Sequence, residues 1–296
     1  MRIAISGSTG LVGSSLAAAL QAEHGQVTRL VRKDPAACDV LWDPQATAFD
    51  AAPLAGCEAV VHLAGENIAS GRWNTAKKSQ IRQSRVQSTQ VLARALANAE
   101  KKPRVFVSAS AIGYYGDTGE TLLREQSPAG DDFLAEVCQA WEAATQPARD
   151  AGIRVVNLRI GVVLSKTGGA LAKMLTPFRL GLGGRVGNGR QYWSWIALPD
   201  LVGVIRHALT CDALEGPVNT VAPAPVTNAE FTRILGRVLG RPTLFPLPAF
   251  MARAMLGEMA DALLLSSTRV SAEKLQQSEY RFEYPELESA LRGVIG

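Results

Sequence analysis

The residues best placed to do chemistry come first in the chain. Arg2-Ile3-Ala4-Ile5-Ser6 runs into Gly7-Ser8-Thr9-Gly10-Leu11-Val12-Gly13, a G-x-x-G-x-x-G spacing directly after an apolar run. Glycines here let the backbone approach a pyrophosphate that a Cβ would hold away, and the free N–H groups at the start of a following helix stabilise its charge. A glycine triplet alone is a weak signal, but its place at a first strand–helix junction makes it credible. The second strand decides between dinucleotides: an acidic residue about twenty positions on would hold the ribose 2′-hydroxyl. Arg29-Leu30-Val31-Arg32-Lys33 has cations there instead. The Arg32 guanidinium can bind a 2′-phosphate through paired charged hydrogen bonds, where a carboxylate would repel it. These residues predict NADP(H) rather than NAD(H); the plainer alternative is a solvated strand end.

Other candidates are weaker. Arg82 and Arg85 stand three apart, on one helix face, where they can meet an anionic substrate or simply face water. Arg190, Trp193 and Trp195 follow a glycine-rich stretch. A guanidinium beside aromatic faces suits a planar or anionic ligand, and packing between two domains is the competing role. Arg85, Arg190 and Trp195 are the substrate-side candidates. His24, before a turn, His62, in an apolar strand, and His207, on a helix, share no motif, and no metal site is expected. Cys38, Cys57, Cys138 and Cys211 lack metal-ligand spacing and disulfide density, which predicts reduced, mostly buried thiols. Met251, Met255 and Met259 recur at a spacing of four and predict the core stripe of a C-terminal helix.

The elements that must position these residues alternate. Strand-length apolar runs at Arg2 to Ser6, Gln26 to Val31, Ala59 to Leu63, Arg104 to Val107 and Ile153 to Leu158 are separated by helical patterns at Val12 to Gln21, Lys78 to Ala99 and Leu134 to Asp150. That rhythm predicts an α/β fold, a Rossmann-type doubly wound parallel sheet with helices on both faces. Ser165 to Pro199, rich in glycine, reads as a long loop over the carboxyl edge of the sheet. Thr243 to Pro248 reads as a short strand and Phe250 to Leu265 as an apolar helix. The expected division is a cofactor domain of residues 1–164 plus about 199–223, and a small C-terminal α+β substrate domain of 165–198 and 224–296.

Length and composition agree with this. With 296 residues, 47% of them hydrophobic and 20% charged, the chain can bury a large core, and disorder is not expected. Lys plus Arg (31) exceeds Asp plus Glu (27) only slightly, without a run of like charge. No nucleic acid or membrane is therefore expected as a partner, while anionic small molecules fit. The N-terminus lacks the apolar core of a signal peptide and no run is long enough to span a bilayer, so a cytoplasmic place is expected.

The glycine turn, Val60-Val61-His62-Leu63-Ala64-Gly65-Glu66-Asn67, Phe106-Val107-Ser108-Ala109-Ser110 with Tyr114-Tyr115-Gly116, and Asn157-Leu158-Arg159-Ile160-Gly161 together resemble the extended short-chain dehydrogenase/reductases related to nucleotide-sugar epimerases. Ser84-Arg85-Val86, Trp141-Glu142 and Tyr192-Trp193-Ser194-Trp195-Ile196 narrow the resemblance to the atypical family 39U branch, the epimerase family proteins. The resemblance implies that Gly7, Thr9, Gly10, Leu11 and Gly13 hold the pyrophosphate and Arg32 the 2′-phosphate. It further implies that Ala64, Gly65 and Asn67 line the path to the nicotinamide, that Ser108 lies beneath it, and that Ser110 stands at the place of the catalytic serine.

One departure bears on the reaction. The superfamily moves its proton with a Tyr-x-x-x-Lys pair, the lysine lowering the tyrosine pKa. The corresponding helix here reads Asp132-Phe133-Leu134-Ala135-Glu136-Val137-Cys138, with Phe133 and Val137 at the two places. Neither can move a proton. Tyr114 or Tyr115 can supply a phenol; Glu136 or Asp132 can act in a dehydration or epimerisation; or the cofactor is bound without turnover, as in a redox sensor. The sequence thus leads to an NADP(H)-dependent oxidoreductase or epimerase acting on a small or nucleotide-linked hydroxyl or carbonyl compound, with Ser110 and Tyr115 as catalytic candidates. A non-catalytic NADP(H) binder is the alternative.

Overall fold

The computed structural model describes residues 1–23 and 25–296; His24 lies outside them. Strand β1 (Arg2–Ser6) enters helix α1 (Leu11–Ala22), then come β2 (Gln26–Val31), β3 (Val40–Leu41) and β4 (Ala59–His62). Helix α2 (Thr75–Asn98) leads to β5 (Val105–Ala111) and the short β6 (Leu122–Leu123). Helices α3 (Phe133–Ala143) and α4 (Gln146–Asp150) precede β7 (Arg154–Ile160), β8 (Val162–Leu164) and α5 (Gly169–Arg179). Next are β9 (Tyr192–Trp193), β10 (Trp195–Ala197), α6 (Leu198–Thr210), β11 (Gly216–Thr220), β12 (Val226–Thr227) and α7 (Asn228–Leu239). The chain ends with α8 (Ala249–Leu256), α9 (Glu258–Ala260), β13 (Arg269–Val270), α10 (Glu273–Gln277) and α11 (Leu287–Ile295).

Seven strands form one parallel sheet in the order β11-β7-β5-β4-β1-β2-β3. Alternation along each strand decides which face its residues fill. Ile3, Ile5, Val105 and Val107 pack with Leu16 and Leu20 of α1 and Leu201 and Ile205 of α6. Their neighbours Ala4 and Phe106 turn the other way, against Leu92 and Leu96 of α2 and Ala148 of α4. Chain order reverses between β1 and β4, and a crevice therefore opens beyond their carboxyl ends, where open α/β sheets take ligands.

The C-terminal half departs from the expected pattern in several places. Ser165 to Pro199 holds a helix, α5, whose Leu171, Leu175 and Phe178 join α7 and α11 in a separate core. Thr243 to Pro248 is irregular, touching Val186 through an isolated bridge at Leu247. The helix expected over Phe250 to Leu265 breaks at Gly257, whose φ of 61° ends α8. As a result only Met259 of the methionine stripe is buried, while Met251 and Met255 are exposed. Among the cysteines Cys57 and Cys138 are buried, Cys211 partly so, and Cys38 is exposed; all are free thiols. Among the described residues no helix is long and apolar enough to cross a membrane, and no group of His, Cys, Asp and Glu gathers to hold a metal.

Candidate functional site

Gly7 turns at a φ of 70°, and a Cβ there would lie 2.7 Å from the Leu63 carbonyl carbon, so the turn packs on the chain leaving β4. A Cβ on Gly13 would overlap the Gly7 carbonyl. Gly10 donates its N–H to Gly7 O at 3.0 Å and caps α1 without any side-chain hydrogen bond to the helix's first N–H groups. Thr9 and Gly10 are exposed and Leu11 is half-buried. The buried Ser8 hydroxyl has no hydrogen-bond partner among the described residues, although a buried hydroxyl ordinarily finds one. Unfilled helix N–H groups, an orphan hydroxyl and glycines that no Cβ could replace form a cradle that fits an anionic diphosphate.

Arg32 follows β2 and is exposed. Two acids stand near this strand end: Asp34, two positions after Arg32, makes no ion pair with it among the described residues, and Asp39 is already engaged, accepting Arg29 Nε at 2.9 Å, Arg29 Nη2 at 2.8 Å and the Ala36 N–H at 3.1 Å. Its hydrogen bond with Arg29 holds the Asp39 carboxyl below the usual carboxylate range. No side-chain hydrogen bond or ion pair is made by Arg32 among the described residues, and its guanidinium is accessible to an anion.

The loop after β4 carries Ala64, Gly65 and Asn67, the last two exposed. Arg85 holds this loop from below. Its Nη2 donates to Glu66 O at 3.0 Å, its Nη1 to Ile81 O at 3.2 Å, and the guanidinium lies 5.1 Å over the Trp141 ring. The guanidinium also packs on Gly65, where a Cβ would lie 3.3 Å from Arg85 Cζ, a tight contact to which the guanidinium would have to yield. Arg85 therefore positions the loop, a different task from the substrate contact expected of it. Glu66 is paired with Lys77 at 2.5 Å, which lowers its pKa.

Ser108 and Ser110 are buried on β5. The Ser108 hydroxyl donates to Ala109 O at 3.3 Å. Ser110 donates its single hydroxyl proton to Glu142 Oε1 at 2.8 Å, and Glu142 in turn accepts both Nε and Nη2 of Arg159 at 2.8 Å. Arg159 Nη1 donates to Tyr115 Oη at 2.9 Å and to Glu125 O at 3.0 Å. Tyr115 donates to Asn219 Oδ1 at 2.6 Å, and Tyr114 lies flat under the Arg159 guanidinium at 3.5 Å. This fork–fork pair and its neighbours form one buried network across β5, β7, β11 and α3. Sequence reasoning chose Ser110 and Tyr115 from it but missed Glu142, Arg159, Glu125 and Asn219, whose partners lie up to 104 positions away in the chain.

The expectation for Tyr115 is corrected by this geometry. Tyr115 is buried with its hydroxyl bonded on both sides, and burial pushes its pKa up to about 12, the reverse of what a phenol needs to act near neutrality. Ser110 is buried and its proton is committed to Glu142, which leaves its lone pairs to accept a hydrogen bond. Asp132 caps α3 by accepting the Ala135 N–H at 2.8 Å, while Glu136 is exposed on that helix. At the two places expected to carry the proton-transfer pair, Val137 is buried and Phe133 packs edge-on against Trp73 with centroids 5.4 Å apart. Lys78 Nζ lies 5.0 Å from the Phe133 ring and 2.6 Å from Glu258 Oε1.

Of the remaining candidates Arg190 is exposed, its backbone N–H fixed by Asn188 Oδ1 at 2.9 Å. Trp195 is not available to a ligand: it is fully buried, donates Nε1 to Ala224 O at 3.0 Å, and packs with Leu164 and Phe231. Trp193 is buried beside Phe231. His62 sits inside the sheet core between Ser6 Oγ at 2.6 Å and Ser88 Oγ at 3.2 Å. A cavity of about 640 Å³ opens at the amino end of β1, beside α1 and α6, lined by Leu20, Arg206, His207 and Tyr280, away from the glycine turn.

Comparison with known proteins points the same way as the geometry. A family model described as the NAD dependent epimerase/dehydratase family matches residues 3–220, and a domain of unknown function, DUF1731, matches 247–294. An epimerase family protein of Mycobacterium tuberculosis is 46% identical over 290 residues, covering 98% of this chain and 96% of its own. The human epimerase family protein SDR39U1 is 39% identical over 298 residues, covering 100% of both. A crystal structure of that human protein (isoform 2) with NADPH superposes with a TM-score of 0.92 at 38% identity, over 99% of each chain. A nucleoside-diphosphate sugar epimerase from Corynebacterium glutamicum gives a TM-score of 0.84 at 39% identity, covering 100% of this chain and 58% of that one.

Proposed function

Given that the chain belongs to the NAD-dependent epimerase/dehydratase family, we propose that it binds NADP(H) in the crevice beyond β1 and β4 and exchanges hydride with a small hydroxyl or carbonyl compound. The observation that carries the reading is the cradle at Gly7, Gly10 and Gly13, with uncapped helix N–H groups and the unpartnered Ser8 hydroxyl. In this reading Gly7, Thr9, Gly10, Leu11 and Gly13 surround the diphosphate. Arg32 takes the 2′-phosphate, and Ala64, Gly65, Asn67 and Ser108 lie along the remaining path. NADPH in the human relative supports the choice of dinucleotide. When bound, the cofactor supplies a hydride donor or acceptor; the chain supplies binding, orientation and exclusion of water. Residues 1–164 with about 199–223 form the cofactor side of this scheme, and 165–198 with 224–296 the substrate side, where Arg190 offers an exposed cation.

A second reading, binding without turnover, is favoured by one observation: Phe133, Val137, Ser110 and Tyr115 leave no side chain at the expected places able to pass a proton to a substrate. Titration with NADPH and NADH, on the protein and on Arg32→Ala, tests the shared premise. NADPH is expected to bind at least about tenfold tighter than NADH, with the preference lost in the variant. Equal binding of the two removes the role of Arg32. Stereospecific loss of deuterium from 4-deuterated NADPH during incubation with a panel of carbonyl compounds separates turnover from binding alone.

A further inference from the structure

We propose that the ribbon and helix formed by residues 179–187 and 241–255 are a docking face for an anionic lipid bilayer. Seven large apolar side chains are exposed there: Leu180 (69%), Leu182, Leu244 (76%), Phe245, Phe250 (72%), Met251 and Met255 (64%). They sit on adjoining backbone. Phe245 donates its N–H to Gly183 O at 3.4 Å, Leu247 to Arg185 O at 2.8 Å, and Gly187 to Leu247 O at 2.9 Å, so the two extended stretches run side by side. Helix α8 starts two residues later, and its residues 250, 251, 254 and 255 share one face by spacing. Among its eight residues only Ala252 is buried. Folding ordinarily hides large apolar side chains, and a gathered group left outside marks an interaction surface.

Charge selects the occupant. From Ala151 to Pro199, and again from Phe231 to Gly257, the chain contains no Asp or Glu, while Lys173, Arg179, Arg185, Arg190, Arg233, Arg237, Arg241 and Arg253 fall within these stretches. Arg237 and Arg253 pair with Glu288 and Asp261, but Arg179, Arg185 and Arg241 on the ribbon itself make no ion pair among the described residues. Exposed Phe, Leu and Met beside unpaired arginines match the acyl boundary and headgroups of an anionic membrane. A second copy of the same face would set arginine against arginine, and nucleic acid would leave the apolar centre unmatched. None of the seven apolar residues lines the cavities of about 640 and 300 Å³. The sequence hid this feature because the two stretches are far apart in the chain and neither is a run of like charge.

The full chain is mixed with vesicles of phosphatidylcholine alone or of phosphatidylcholine and phosphatidylserine in equal parts, and the sedimenting fraction is measured. Binding to the anionic vesicles only, weakening as salt is raised, is expected. Arg185→Gln with Arg241→Gln, and separately Phe245→Ser with Phe250→Ser, are expected to weaken it on the order of tenfold or more. All four sites are on the surface, and unchanged thermal unfolding confirms that the variants fold. Equal binding to both vesicle types, or none to either, overturns the proposal. So does concentration-dependent dimerisation in sedimentation velocity that the Phe→Ser variant abolishes, which assigns the face to a second copy. Poly-glutamate binding that survives the Phe→Ser change assigns it to an acidic protein and equally overturns it.

Discussion

His62 shows how one side chain is fixed by its surroundings. Both ring nitrogens are bonded to serine hydroxyls inside the sheet core, and burial lowers its pKa from 6.5 to about 4. The folded protein therefore keeps the ring neutral where the unfolded chain would protonate it. Stability from this group is complete above pH ~6.5 and is lost as the pH falls towards 4, by about 3 kcal/mol over the window. In His62→Gln, whose side chain does not titrate, the melting temperature should fall less between these pH values than in the parent. Parallel decline of the two proteins would show that the ring is protonated in the native state. Much of the residue-level site was legible in the same physical terms. The glycine turn declares itself because its chemistry is local, a strand, a tight turn and a helix start within thirteen positions. Trp195 and Tyr115 were misplaced because side-chain direction is not local: Trp195 was expected in the cleft and lies in the core formed by α5, α7 and α11.

At the scale of elements, the five expected strands and the first two helices are present to within a few residues, since alternation and helical spacing each leave a periodic trace. What sequence periodicity did not reveal is the polar joint among β5, β7, β11 and α3. Arg159 and Glu142 are each nearly buried; each neutralises the other's charge, and Ser110, Tyr115 and Glu125 O add hydrogen bonds. Removing one partner strands the other: Arg159→Met should lower stability by about 3–5 kcal/mol. The double change Glu142→Leu with Arg159→Met leaves no uncompensated charge and should be less destabilised than Arg159→Met alone. Urea unfolding midpoints of the parent, Glu142→Leu, Arg159→Met and the double variant decide this, and a double variant as weak as the sum of its parts would mean that the pair contributes packing rather than charge compensation. The break of the C-terminal helix was equally hidden, because a lone glycine within an apolar run gives no warning that its φ is positive.

For the whole molecule, the question is how the C-terminal segment is tied to the cofactor crevice. Three polar contacts bridge them at one place: Arg72 donates to Ala254 O at the end of α8, Lys78 pairs with Glu258, and Lys173 on α5 donates to Ala69 O at 3.2 Å. Arg72 and Ala69 belong to the stretch that begins at Gly65 and Asn67, next to the glycine turn, and Lys78 stands on the first turn of α2 that follows it. The Lys78–Glu258 pair is largely exposed, and such a pair adds at most ~1 kcal/mol to stability. Its value is geometric, because it joins the start of α2, just after that stretch, to α9, next to the helix that carries the apolar face. Ordering of the loop by NADPH should therefore reach α8. Hydrogen exchange is expected to slow on cofactor addition both at residues 65–74 and at residues 249–260, and Glu258→Gln should keep the first protection while losing most of the second. Protection of α8 that persists in the variant would mean that the link runs through Arg72 and the helix end instead, whereas protection confined to the loop in the parent protein would show the two parts to be independent.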